Sequence, residues 1–543
     1  MTRQLTRRSV LLGGSITLGA LTGIPLLASC AGGQGTGGQG GAKSTTLAVP
    51  FLADMQVPDP DVFYEGEGLL VTTSLYEGLI AYAAVPSGVV PEYSPENRFE
   101  PLLAQRWQVS PDGLEYTFNL RDDVKFHDGT PMDAEAWRAS FARRTAVNAG
   151  PAYMLANVAS TAAPDPKTFV VRLKTPTAAF LDYLAGPWGP KAVSPTAVKE
   201  HAKGDDHAQE WLSTHSAGTG SYSIQEFLPS STYTLAGFNE HWSGAPHFDT
   251  LRVEVTPDVQ TQELKLRNGE FDMITKGLVV DTINSFAKDP AYQVQHFSLA
   301  LKLAMVINPQ GVFSDKAARQ ALRSAIDRKA VLDGSYKDTA TLSTQFYPVA
   351  CFPTDAAADN PPLNPEQLKA MIAGLPSRDV SIAVAAELGA AGMAAGQLIQ
   401  VQLQQLGLNA TARSIPSSEQ FAMYEHPAKG QPDLLLAVQG GDVMHPDNVL
   451  RAVWRTDAGP LNYYNWSIPA VDKLMDEGSA SLDPKASLSA YQRAAEILMD
   501  EAVNLNLFDL RDNPVVRSGI TDFVHDPMTE WTFRMGQLNE ANS

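Results

Sequence analysis

The stretch DLLLAVQGGD, residues 433–442, ends an apolar run on two glycines and a carboxylate, Asp442. The run reads as a buried strand, and in an open α/β sheet ligands sit beyond the carboxyl ends of the strands, so Asp442 stands where a ligand would be met. In FHDGTP, His127 and Asp128 could be drawn as a proton-transfer pair, but Gly129 and Pro131 favour a tight turn. EHAKGDDHAQEWLSTH gathers His201, His207 and His215 with Asp205 and Asp206, the right side chains for a metal. Polar histidines on a surface helix or loop are the commoner reading, and no metal is assigned. GQGTGG satisfies the dinucleotide fingerprint from Gly33 to Gly38, yet no strand precedes it and no helix follows. Loops of the form G-x-x-x-x-G-K-[ST], H-E-x-x-H helices and nucleophile elbows are missing from the sequence. No catalytic constellation and no cofactor are therefore assigned. NYYNW, residues 462–466, offers Tyr463 and Asn465 as ligand contacts, and it either lines a cleft or packs against the next helix.

The first thirty residues address the rest. Arg3, Arg7 and Arg8 precede an apolar run from Val10 to Ala28 with no acidic residue, the layout of a signal peptide. TRRSVLL resembles a twin-arginine export signal, and the general secretory route stays open. Leu27, Ala28, Ser29 and Cys30 resemble a lipobox, which makes Cys30 the lipidated first residue of the mature chain. Residues 1–29 are then leader, and residues 30–44, rich in glycine, a flexible tether with a reach on the order of 20 Å. The expected location is extracytoplasmic, lipid-anchored to the outer face of the cell membrane. Cys351 is left without a disulfide partner. Removing 29 of 543 residues leaves 514, enough for two or three domains that need no covalent staple. Lys+Arg number 41 and Asp+Glu 60, a formal charge of -19, which argues against nucleic acid as a partner.

Elements that could position such residues alternate between strand and helix, so the chain is α/β. Trp107 and Val109 face Tyr116, Phe118 and Leu120 across Pro111, Asp112 and Gly113, a hairpin signature. A helix then begins at Thr130 or Asp133, either of which can cap it. SIAVAA, AAGQLIQVQLQQLG and LNATARSI form a βαβ unit, with Leu398, Val401 and Leu406 on one helix face and Gly407 as its stop. The last long helix is placed near 484–503, with Leu488, Tyr491, Leu498 and Ala502 in one stripe, followed by a strand at NLNLFDL.

Residues 101–143, PLLAQRWQVSPDGLEYTFNLRDDVKFHDGTPMDAEAWRASFAR, closely resemble the signature of the extracytoplasmic solute-binding proteins of bacterial ABC importers, the peptide/nickel (family 5) group. YEGL at 76–79, GTGSY at 218–222, NEHWSGAP at 239–246 and ARQALRSAIDR at 318–328 follow in family order. The resemblance implies a two-lobed clamshell of the periplasmic-binding-protein type (type II, cluster C). Lobe I would span 45–298, with a subdomain at about 80–215, and take back 506–543, while 299–505 form lobe II. It further implies a monomeric receptor that delivers peptides to a membrane permease powered by a separate ATPase.

The same resemblance assigns the candidate contacts. Asp442 matches the aspartate that pairs with a peptide's α-amino group, and Val438, Gly440 and Gly441 match strand positions beside the peptide main chain. Glu65, Gly66 and Glu67 match a ligand-facing segment of the large lobe, with Tyr153 and Phe508 as aromatic walls. Three departures matter. Gln439 stands where many peptide binders have tryptophan, and Ser221 replaces a proline. AAELGAAGMAAGQL lacks the arginine with which dipeptide binders hold the C-terminal carboxylate. A strict dipeptide reading is thereby disfavoured, and longer peptides or another cationic solute come into play. A metal chelate, an oligosaccharide or an amine metabolite is the rival cargo, and a surface-anchored hydrolase the rival class.

Overall fold

Three sheets of four or more strands organise residues 45–94, 98–353 and 356–541, the parts of the chain described by this computed structural model. The leader, Cys30 and the tether lie outside them. In the first sheet Thr46–Phe51 runs parallel to Thr250–Val255, which continues antiparallel through Thr232–Gly237 to Tyr222–Leu228. Leu47, Val49, Tyr233, Leu251 and Val253 bury their side chains in one core there.

The second sheet contains the hairpin expected from the signature. Ala104–Val109 pairs antiparallel with Glu115–Leu120, and Trp107 stands opposite Phe118. Gly113 takes a φ of 67° at the turn, which a side chain would strain. Tyr116, Phe118 and Leu120 are buried, whereas Val109 is exposed, so the second strand carries the core face. Asp133, not Thr130, caps the following helix, Ala134–Val147. Its Oδ1 accepts from the Ala136 amide at 2.9 Å, while the Thr130 amide donates to Asp128 Oδ1 at 2.9 Å. A cap of this kind contributes about 1 kcal/mol.

The third sheet has six strands in the order Ala340–Leu342, Asn504–Asp512, Phe297–Ile307, Leu434–Gly440, Asp379–Ala385 and Asn409–Ile415. The βαβ unit is present: Asp379–Ala385 and Asn409–Ile415 are parallel, joined by the helix Gly389–Gln405. Gly407, at a φ of 98°, stops that helix as expected. Its buried face differs from expectation. Gly392, Ala395, Gly396, Ile399 and Leu403 face inward, Leu398 and Leu406 are half-buried and Val401 is exposed. A Cβ at Gly396 would lie 2.6 Å from Val384 Cγ2, so small residues let the helix axis approach the sheet, and the larger apolar ones are displaced to its flank. The last long helix runs from Pro484 to Asp500 with Tyr491, Ala494, Ala495 and Leu498 buried, and Asn504–Asp512 follows it.

Candidate functional site

Leu434–Gly440 is buried because its neighbours cover it on both sides, but the cover is unequal. Phe297–Ile307 pairs with it along its whole length, from Leu434 opposite Ile307 to Gly440 opposite Leu301. Asp379–Ala385 pairs only with Leu434, Leu435 and Leu436. From Ala437 onward one edge therefore has no ladder strand among the described residues. The two glycines after it are required by close approach. A Cβ on Gly440 would lie 2.5 Å from Leu301 Cδ2, and one on Gly441 2.3 Å from Asn448 Oδ1. Asn448, in the helix Pro446–Val453, accepts the amides of Asp442 at 2.6 Å and Val443 at 3.2 Å. The loop backbone is thus fixed and the Asp442 side chain held in one direction.

That direction is toward two tyrosines distant in sequence. Tyr64 and Tyr153 both donate their hydroxyls to Asp442 Oδ2. Tyr64 packs edge to face on Trp188 at 5.7 Å and on Tyr153 at 6.4 Å, and Tyr153 on Tyr183 at 6.1 Å. Burial raises the Asp442 carboxyl above its usual pKa, and the two tyrosine hydroxyls partly offset this. Burial, and then the nearby carboxylate, push both tyrosines upward as well. A carboxylate among aromatic rings is suited to an ammonium group, which gains a charge-assisted hydrogen bond and ring faces together.

Of the expected contacts, the structure brings Tyr153, Gly440 and Gly441 to Asp442. Tyr64 is the residue of YEGEG that reaches it, and sequence reasoning passed over it. The signal was an aromatic residue directly ahead of the expected segment. The other residues of that segment are occupied. Glu65 accepts from Gln56 through its side chain and from Trp188 Nε1 at 3.1 Å through its carbonyl. Gly66 lies under Trp531, whose ring a Cβ would approach to 3.1 Å. Glu67 accepts the amides of Leu52 at 2.7 Å and Ala53 at 3.4 Å, so its carboxylate serves the backbone rather than a guest. Near Val438 lies Glu387, whose carboxyl burial raises above its usual pKa. Phe508 is fully buried against Tyr336 and presents no wall to a ligand. Tyr463 is buried with its hydroxyl accepting from Gln420 Nε2 at 2.9 Å, and Asn465 donates to the Tyr424 carbonyl at 2.8 Å, so NYYNW packs.

The profile of bacterial extracellular solute-binding proteins, family 5 Middle, matches residues 98–460. The chain belongs to this family of solute-binding proteins. Among its relatives, the "probable D,D-dipeptide-binding periplasmic protein DdpA" of Escherichia coli is 25% identical over 501 residues, covering 91% of this chain and 94% of that one. The "probable di/tripeptide-binding protein 5" of Pseudomonas aeruginosa is 27% identical over 438 residues, covering 75% and 81%. The solved Helicobacter pylori periplasmic binding protein DppA, in complex with the peptide STSA, shares the fold at a TM-score of 0.73 and 20% identity, over 92% of this chain and 99% of that one. The α/β clamshell class follows. All three are named as binding proteins, the solved one as associated with an ABC transporter.

The remaining chemical candidates have structural occupations. His127 lies in a turn closed by Gly129, with Nε2 3.1 Å from the Gly220 carbonyl and Nδ1 3.2 Å from Ser216 Oγ, while Asp128 accepts from Ser194 Oγ at 2.5 Å. Burial pulls the His127 pKa down to about 4. Because the folded value lies below the ordinary 6.5, protonation favours the unfolded chain, so its penalty is absent above pH 7 and grows as pH falls from about 6.5 to about 4. The stability advantage of the wild type over His127→Gln is expected to shrink by about 2 to 3 kcal/mol between pH 7 and pH 4.5. Urea unfolding at both pH values measures it, and an unchanged gap would contradict a neutral buried ring. His201 and His215 each stack on Trp211, at 4.1 and 4.6 Å. Among the described residues no group of three or more His, Cys, Asp or Glu side chains could hold a metal ion, and no helix is long and apolar enough to cross a membrane.

Proposed function

We propose that this solute-binding protein captures a peptide by its free α-amino group and presents it to an ABC permease with a separate ATPase, while a lipid on Cys30 keeps it at the outer face of the membrane. The observation that carries the reading is the Asp442 carboxylate, sunk between Tyr64 and Tyr153 at the end of a strand whose last residues have one unladdered edge. An ammonium can replace the tyrosine hydroxyls at the carboxylate, and a peptide main chain can run beside Gly440 and Gly441 without regard to side-chain identity. The names of the two relatives above support a short peptide as cargo.

In this reading residues 45–298 with 506–543 form one lobe and 299–505 the other. The chain would cross between them in Phe297–Ile307 and Asn504–Asp512, which pair antiparallel with register shifts between Ser298 and Lys302 and between Leu303 and Ala304. Such irregularities at adjacent crossings suit a hinge, and contacts to both lobes let a guest favour the closed form. Titrating the purified mature protein with trialanine and with N-acetyl-trialanine tests the reading. The free peptide is expected to bind and the acetylated one to fail, whereas equal binding of both, or of neither, would refute amine capture.

A further inference from the structure

A cavity of about 300 Å³ reaches His445, three residues beyond Asp442. One wall comes from the hairpin sheet and its surroundings, with Tyr93, Arg98 and Tyr116, and the other from His445 and the start of the Pro484–Asp500 helix, with Leu482 and Leu488. Leu482 also closes the seam, since a Cβ on Gly113 would lie 2.4 Å from its Cδ2.

Arg98 is the group that lacks an explanation. Only 14% of its side chain is exposed. Nη2 donates to Asp182 Oδ2 at 2.9 Å, while Nε and Nη1 are buried without an acceptor among the described residues. A guanidinium is always charged and carries five N–H donors, so three of them are left unserved here, at a cost larger than that of neutral groups. The rings of Phe99 and Tyr93, 4.7 and 5.9 Å from the guanidinium carbon, compensate its charge but accept no proper hydrogen bond. His445 adds a donor from the opposite wall. Its Nδ1 accepts from the Asp447 amide at 3.1 Å, which leaves the ring proton on Nε2. Burial, and then the Arg98 charge, hold this ring neutral. Asp182 weakens the attraction for an anion, but burial lifts its pKa to about 7, so it can take up a proton when a second carboxylate arrives.

Donors from two walls above an apolar shelf define the occupant by chemistry. We propose that this cavity is a second ligand site, separate from the Asp442 cleft, that takes a small carboxylate with an apolar body, its oxygens meeting the Arg98 guanidinium. The site also touches the cargo loop. Tyr82 donates to Asp182 Oδ1 at 3.2 Å and accepts from the Met444 amide at 2.9 Å, two residues beyond Asp442, so an occupant steadies the loop that anchors the cargo.

The probe is 4-bromobenzoate, titrated calorimetrically into the mature protein and soaked into its crystals, where anomalous scattering locates the bromine. One saturable site with bromine between Arg98 and Leu488 is expected, with affinity lowered about tenfold or more in Arg98→Met and retained in Asp442→Ala. No saturable binding, bromine in the Asp442 cleft, or Arg98→Met binding as tightly as wild type would each overturn the proposal. The wild-type crystal decides alone if Arg98→Met fails to fold.

Discussion

Asp442→Ala is expected to weaken binding of a peptide with a free N-terminus at least about 30-fold, because removing one partner of a buried charge pair costs about 2–5 kcal/mol. Much of that loss is the penalty of leaving an ammonium buried without its carboxylate partner. The free protein should respond in the opposite sense. Its Asp442 carboxyl is raised by burial and held by two phenols, so Asp442→Asn, which keeps the shape without the charge, should leave thermal stability unchanged or higher. The same raised pKa predicts that affinity fails on acidification earlier than an ordinary carboxylate would allow, since the ionised form is the one that binds. Calorimetry on the two variants and melting of the unliganded forms measure these effects. Peptide affinity unchanged in Asp442→Ala would end the amine-anchor role.

What the sequence revealed, and what it hid, divides along physical lines. Local rules act over a few residues, and they placed the Asp112–Gly113 turn, the helix start near Asp133, the Gly407 stop and the βαβ unit. Asp442 was legible for the same reason, because an apolar run ending in two glycines and a carboxylate marks a strand end in one glance. The helix face at Gly389–Gln405 was not, since it depends on how closely the helix lies on the sheet, and there Gly392 and Gly396 count for more than Leu398 or Val401. Tyr64 was hidden by distance. It reaches Asp442 across 378 residues, and no local pattern tells which residue of an irregular segment turns toward a partner so far along the chain. Glu67 illustrates the converse, since a carboxylate next to a candidate site was already committed to the amides of Leu52 and Ala53.

Tyr64 packs on Trp188, whose carbonyl is held by a buried charge cluster, and that cluster sets the second large expectation. Arg144 donates to Asp61 Oδ1 at 2.8 Å, to the Trp188 carbonyl at 2.7 Å and to the Pro60 carbonyl at 2.9 Å. Arg143 donates to Asp61 Oδ2 at 2.5 Å and to both oxygens of Asp59, at 2.8 and 2.6 Å. Two guanidinium groups and two carboxylates are therefore buried together, with charges that cancel. Arg144→Ala removes one positive charge and leaves an unbalanced carboxylate out of water, at a cost of about 3–5 kcal/mol in urea unfolding. It also frees the carbonyl of Trp188, whose ring packs on Tyr64, so peptide affinity should fall with stability. The alternative that the cluster is a passive remnant makes a different prediction. If exact neutrality of charge is what matters, Arg144→Met combined with Asp61→Asn should recover a substantial part of the stability lost in Arg144→Met alone, and the double-mutant cycle reports the coupling. Purely additive effects would place the stabilisation in packing of the arginine stem, and would remove the electrostatic link between the Ala134–Val147 helix and the tyrosine that meets Asp442.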